Sequence, residues 1–194
     1  VAPFVLPAAM PLLHERHPEA RVYLVESQTE VLLKRLADGQ LDVLLLALEA
    51  ELGGIETMPV FRDPFFAAVP PDHRIASAES VALGDIDRDE LLLLEEGHCL
   101  SRQGEEVCAL HPKDGDDFRA SSLVTLFQMV AMGMGITLLP AVAAESALLR
   151  GSGLKLVPLA EDAYRTIGLG WRKNCPRQPE FALLAELLEE AAPA

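Results

Sequence analysis

Two cysteines and a histidine carry the chemistry this sequence could do. Residues 91–108 read LLLLEEGHCLSRQGEEVC. Four leucines lead into Glu95, Glu96 and Gly97, then His98 and Cys99 stand side by side, and Cys108 follows nine positions later. An apolar run bounded by a glycine predicts a buried strand that ends in a turn. A thiol on such a turn, at the start of a helix, is favoured as the thiolate, because helix N-termini and nearby cations stabilise negative charge. The adjacent imidazole could add positive charge or a hydrogen bond. The pattern points to a reactive cysteine with a resolving partner.

Blander readings stand beside it. Cys99 could be an inert cysteine at the end of a core strand, and Cys108 a core residue of an amphipathic helix with Val107 and Leu110. His98, Cys99, Cys108 and His111 could form a zinc set. The spacing Cys-x8-Cys-x2-His is not one of the common paired-ligand patterns, so no metal is expected. Cys175 precedes Pro176 in a polar turn and is given no role. No pair of carboxylates is placed for acid–base work, and no cofactor is expected.

The 194 residues are half apolar, enough for one or two compact domains. A net charge of −14 argues against a nucleic-acid-gripping surface on this chain. No apolar run is long enough to span a bilayer, so no membrane partner is expected. The opening VAPFVLPAAMP lacks a basic region before its apolar residues, which makes it a poor signal peptide, and the absence of an initiator methionine suggests a fragment. Three cysteines do not make a disulfide scaffold. A cytoplasmic protein with one redox pair is the simpler account.

Several elements must position those residues. Residues 3–17 have helical apolar spacing, with Pro7 and Pro11 kinking the helix or delaying its start. Residues 21–26 (RVYLVE) alternate as a strand. Residues 27–29 offer caps for a helix over 30–38 that Gly39 ends, and residues 42–48 form a buried strand. Residues 61–70, interrupted by Pro64, suit an edge strand or a passage between domains. A short helix over 83–88 leads to the leucine strand, and 118–120 is a short strand. Ser121 or Ser122 caps a helix over 123–132, ended by Gly133 and Gly135. A strand follows over 136–139, then a helix over 140–149 with Pro at its first position. Strands over 154–159 and 166–172 precede a final helix over 180–191 with Phe181, Leu184 and Leu188 on one stripe. Strands alternating with helices predict an α/β chain with parallel sheets.

At this point the chain resembles the effector domain of LysR-type transcriptional regulators. General marks are Leu36, Gly39, Leu41 and Asp42 (LxxGxLD) and residues 133–140 (GMGITLLP). Sharper marks resemble the OxyR-type peroxide sensors: Gly97-His98-Cys99-Leu100, the step to Cys108, Phe118-Arg119-Ala120, and Arg165-Thr166-Ile167-Gly168. Together they run in order along nearly the whole chain. The resemblance implies two periplasmic-binding-protein-like (type 2) subdomains with mixed, mainly parallel sheets and two crossing segments. The expected borders are 1–66 plus 169–194 for the first and 67–168 for the second, which holds the redox cysteines. It also implies an N-terminal winged helix-turn-helix, absent from this chain, as the part that binds DNA.

Residue by residue, the resemblance makes Cys99 the peroxidatic cysteine, Cys108 the resolving cysteine, and His98 the histidine beside the thiolate. Thr29 matches a peroxide-binding threonine and Arg165 an arginine near the cysteine pocket. Two positions depart from the family pattern: Ser101-Arg102 stands where it has Arg-Asp, and Tyr164 where it has Arg. The implied function is hydrogen-peroxide sensing without an enzyme's cycle. Cys99 becomes a sulfenic acid and then a disulfide with Cys108. The implied partners are peroxide, a second copy (a tetramer in the full-length protein), and a thiol reductant such as glutaredoxin or thioredoxin. A regular helix between the cysteines would rise about 13.5 Å over nine residues. A disulfide needs Cα atoms within ~7 Å, so such a helix would have to refold. Rival readings are a LysR-type effector domain for a small organic acid, a thiol peroxidase, and a stand-alone solute-binding protein.

Overall fold

The computed structural model describes residues 1–94, 119–120, 122–144, 146, 149 and 151–192. The chain divides into two units. One comprises Val1–Asp63 and Arg165–Ala194, the other Pro64–Tyr164.

In the first unit, helix α1 (Ala2–Arg16) is one continuous helix with Pro7 and Pro11 inside it. Both prolines lie on its exposed face, and Val5 and Ala9 on its buried face. The carbonyls that lose an N–H donor to each proline therefore face solvent, which lowers the cost of a proline inside a helix. Helix α2 (Thr29–Ala37) buries Leu36 completely and ends before Gly39, whose φ of +73° suits a residue without Cβ. Strand β1 (Leu44–Ala47) pairs antiparallel with β7 (Tyr164–Trp171), Leu44 opposite Gly170. Strand β2 (Glu56–Val69) neighbours β7 on the other side. The approach is close: a Cβ at Gly168 would lie 2.6 Å from the Met58 carbonyl oxygen. Helix α5 (Gln178–Glu190) packs on α1 and buries Phe181, Ala185, Leu187 and Leu188. Trp171 and Phe181 meet with ring centroids 5.3 Å apart.

In the second unit, β2 continues from Pro64 to Val69 between β5 (Thr137–Pro140) and β6 (Lys155–Pro158), antiparallel to both. Phe65, Ala67, Val69, Ile136, Leu138 and Val157 form its main core. Strands β3 (Leu93–Leu94) and β4 (Arg119–Ala120) pair in parallel. Helix α3 (Leu123–Ala131) covers them through Leu126 and Met129, and Ser122 caps it: its hydroxyl accepts from the Thr125 N–H at 3.2 Å. Helix α4 (Ala141–Ala144) follows β5 directly.

Two expectations change. Residues 21–26 join no strand; Val22, Tyr23, Leu24 and Val25 are exposed. Alternation gives a segment two faces but supplies no partner backbone, and a strand needs both. Residues 83–88 hold two short 3-10 turns, Leu83–Asp85 and Arg88–Glu90, in place of a helix. Of the expected mixed sheets, the described ladders β1–β7, β2–β5 and β2–β6 are antiparallel, while β3–β4 and the isolated bridges Leu91–Ile136 and Val81–Leu159 are parallel. Pro64 does not break β2, because its side faces out at the point where the strand passes from one unit to the other.

Candidate functional site

The leucine run that leads to His98 and Cys99 is held on both sides. The Leu92 N–H donates to the Ile136 carbonyl and the Ile136 N–H to the Glu90 carbonyl, both at 2.8 Å. The Thr137 hydroxyl donates to the Leu92 carbonyl at 2.8 Å. Leu94, at the end of the run, is buried and paired beside Ala120. Residues 95–118 connect β3 and β4 in sequence. His98, Cys99, Cys108 and His111 belong to that interval and lie outside the described residues. Among the described residues no group of three or more His, Cys, Asp or Glu is placed to hold a metal ion. No described helix is long and apolar enough to cross a membrane.

Thr29 and Arg165 are both in the first unit. Thr29 is the first residue of α2 and half-buried; the cap position is Gln28, not a serine or threonine. Thr29 thus stands where a helix has unpaired N–H groups and partial positive charge, which favours negative or oxygen-rich ligands. The other end of α2 is fixed from β7. The Arg172 guanidinium, just beyond that strand, donates to the carbonyls of Leu36 at 2.5 Å and Leu41 at 2.6 Å.

Arg165 begins the first unit's stretch of β7 and is 3% exposed. Its Nε and Nη2 both donate to Asp63 Oδ2 at 2.8 Å. Asp63, 1% exposed, is the last residue before β2 enters the second unit. A buried arginine needs such a counterion, since an unpaired charge in a low-dielectric interior is costly. Sequence reasoning missed Asp63. The available signal was a single acid next to Pro64 in the apolar run before Phe65-Phe66-Ala67-Ala68-Val69.

A groove of about 720 Å³ in the first unit is lined by apolar side chains, among them Leu6, Met10, Tyr23, Leu44, Leu184 and Leu188. Neither Thr29 nor Arg165 lines it. It borders the unpaired residues 22–26 and brings no reactive group together.

The chain matches the family model described as the LysR substrate binding domain over residues 1–193. It is 40% identical over 189 residues to the DNA-binding transcriptional dual regulator OxyR of Escherichia coli K12, a match covering 97% of this chain and 62% of that protein. It is 34% identical over 191 residues to the HTH-type transcriptional regulator EstR of Acinetobacter baylyi, covering 97% and 63%. The reduced form of the regulatory domain of OxyR2 from Vibrio vulnificus superposes with a TM-score of 0.89 at 36% identity, covering 99% of this chain and 91% of that one. A hydrogen-peroxide-bound Cys-to-Ser mutant of Corynebacterium glutamicum OxyR superposes equally, with a TM-score of 0.89 at 33% identity, covering 98% and 61%. The chain therefore spans about 62% of the length of the Escherichia coli relative. By sequence and by fold along nearly its whole length, the chain belongs to the LysR substrate-binding (regulatory) domain family and is OxyR-like within it.

Proposed function

We propose that this chain is the hydrogen-peroxide-sensing regulatory domain of an OxyR-like LysR-type transcription regulator, and not an enzyme. The observation that carries the reading is the sequence Gly97-His98-Cys99 with Cys108 beyond it, in a chain 40% identical to OxyR over 97% of its length. The peroxide-bound Corynebacterium glutamicum relative supports the same ligand. The Cys99 thiolate attacks one peroxide oxygen. The O–O bond breaks, and the other oxygen leaves as hydroxide and is protonated to water. The sulfenic acid then condenses with the Cys108 thiol, giving a disulfide and a second water. Thr29 holds the peroxide by hydrogen bonds, and Arg165 and His98 favour the thiolate.

In this reading the two units are the two regulatory subdomains, and the second carries the cysteines. The disulfide changes conformation and the arrangement of a homodimer, or of a tetramer in the full-length protein. DNA is bound by a winged helix-turn-helix outside this chain, in the cytoplasm, and a thiol reductant such as glutaredoxin or thioredoxin resets the switch. A second reading is a LysR-type effector domain that binds a small organic acid, in keeping with a family model described as a substrate binding domain.

Mass spectrometry before and after one equivalent of peroxide, with thiol mapping, decides between them. Peroxide sensing predicts a Cys99–Cys108 disulfide, lost in Cys99→Ser. If Cys175 oxidises first, or Cys99→Ser reacts as fast as wild type, the proposal fails.

A further inference from the structure

The apolar groove of the first unit is bordered by two stretches of backbone that each lack a neighbour. Val43, Leu44 and Leu45 line it from the β1 side, and residues 22–26 line it as well. Among the described residues, β1 is the last strand of its sheet, paired with β7 along one edge only. Residues 21–26 make no backbone hydrogen bond with any described residue. Their side chains are apolar and open to solvent, Tyr23 at 86% and Leu24 at 59% exposed. Bare strand edges and runs of exposed apolar residues are each unfavourable in a finished domain. Together they mark a place where an extended backbone belongs, since one strand between them would satisfy both rows of N–H and C=O groups.

The groove also says what kind of strand fits. Leu6 and Met10 of α1 and Leu184 and Leu188 of α5 line it, so the occupant must bring apolar side chains to that face. Ala2 and Pro3, the opening residues of α1, line it too, so backbone that runs into α1 passes through the groove. A strand there, α1 and residues 21–26 would make one strand-helix-strand unit. Residues 21–26, α2 and β1 would make a second. Strands joined through a helix in this way run parallel. The likeness to the Vibrio vulnificus regulatory domain leaves 9% of that domain without a counterpart here, since 91% of it is covered.

We propose that the groove is the seat of an apolar strand from the part of the full-length regulator that leads into Val1. The strand lies between β1 and residues 21–26, parallel to both, and makes residues 21–26 a strand in turn. This rests on the reading of the chain as one domain of a longer regulator, and not on its peroxide chemistry. The connection toward the DNA-binding part is then built into the core of the first unit.

The test is amide hydrogen exchange on the reduced full-length regulator and on this 194-residue chain, read at residues 22–26 and along β1. In the chain, residues 22–26 should exchange within ~10-fold of unprotected rates. In the full-length regulator they should slow by ~100-fold or more, together with the β1 amides that point away from β7. Tyr23→Pro and Leu24→Pro give a second readout. In the chain neither amide is bonded, so both variants should melt close to wild type. In the full-length regulator the variant that loses the N–H facing the seated strand should melt at least ~5 °C lower.

Equal exchange at residues 22–26 in the two proteins overturns the proposal. Protection in either protein that fades on dilution to the monomer, followed by sedimentation velocity, makes a second copy the occupant and overturns it as well. Each of these outcomes leaves the sensing reading standing, because thiol mapping after peroxide decides that reading separately.

Discussion

The Arg172 guanidinium donates to the Leu36 carbonyl at 2.5 Å, so the residue just after the strand that carries Arg165 anchors the helix that Thr29 opens. The second bond, to Leu41, ties in the loop after the helix. Arg172→Ala leaves those two carbonyls without their charged donor. Charged hydrogen bonds are each worth roughly 1.5–3 kcal/mol, and with partial rescue by water the expected loss is about 2 kcal/mol. Hydrogen exchange should rise at the C-terminal end of α2. Unchanged exchange there would show that packing of Leu36 alone holds the helix.

Asp63→Ala should cost roughly 3–5 kcal/mol, because it leaves the buried Arg165 cation uncompensated. Replacing both partners by apolar residues, Asp63→Leu with Arg165→Met, should recover most of that loss. Trp171 is the chain's one tryptophan and lies in the first unit's stretch of β7, so its fluorescence in urea follows this region. A double variant as unstable as Asp63→Ala would mean that the shape of the pair, and not its charge balance, is what the fold needs.

Thr29→Val keeps the shape of the side chain and removes its hydroxyl. On the peroxide-sensing reading, the variant loses a hydrogen bond to the reacting molecule but no charge near sulfur. Oxidation of Cys99 should slow ~10-fold or more, with the pH midpoint unmoved. Melting should change little, since the residue is half-buried at the first position of α2. A shift in midpoint would place Thr29 among the groups that hold the thiolate.

Glu180 lies in the first turn of α5, where helix geometry favours a carboxylate. Hydrogen bonds from Arg177 at 2.9 and 2.6 Å are the main reason its carboxyl titrates below the usual value, with desolvation opposing them and charge attraction adding a smaller part. A depressed folded-state pKa gives stability that is present above the unfolded value and lost as pH falls through the folded one. The contribution is small, because both side chains are about half exposed. A carboxyl NMR titration should show the Glu180 midpoint rising in Arg177→Gln. The same midpoint in both proteins would remove Arg177 as the cause.

Much of the chain's local structure was legible in its sequence because local chemistry decides it. The helix over residues 123–132 was marked by Ser122 before an apolar stripe and by Gly133 after it, and both act as expected, with Gly133 at φ +77°. The final helix was marked by Phe181, Leu184 and Leu188, of which Phe181 and Leu188 are buried and Leu184 half-buried. The family was legible too, because GHCL, FRA and RTIG are chemical signatures that stand in the primary chain whatever surrounds them. Pairing was not legible. Residues 21–26 read as a strand by alternation and 61–70 as an edge strand or a passage by their apolar run, yet only the second gained neighbours, from β7, β5 and β6. A strand's partner and direction are set by residues distant in sequence, and nothing local records them. The same holds for the partner of Arg165. Its type was readable, but 102 residues separate it from Asp63. Only the folded chain, passing out along β2 and back along β7, brings the carboxylate to the guanidinium.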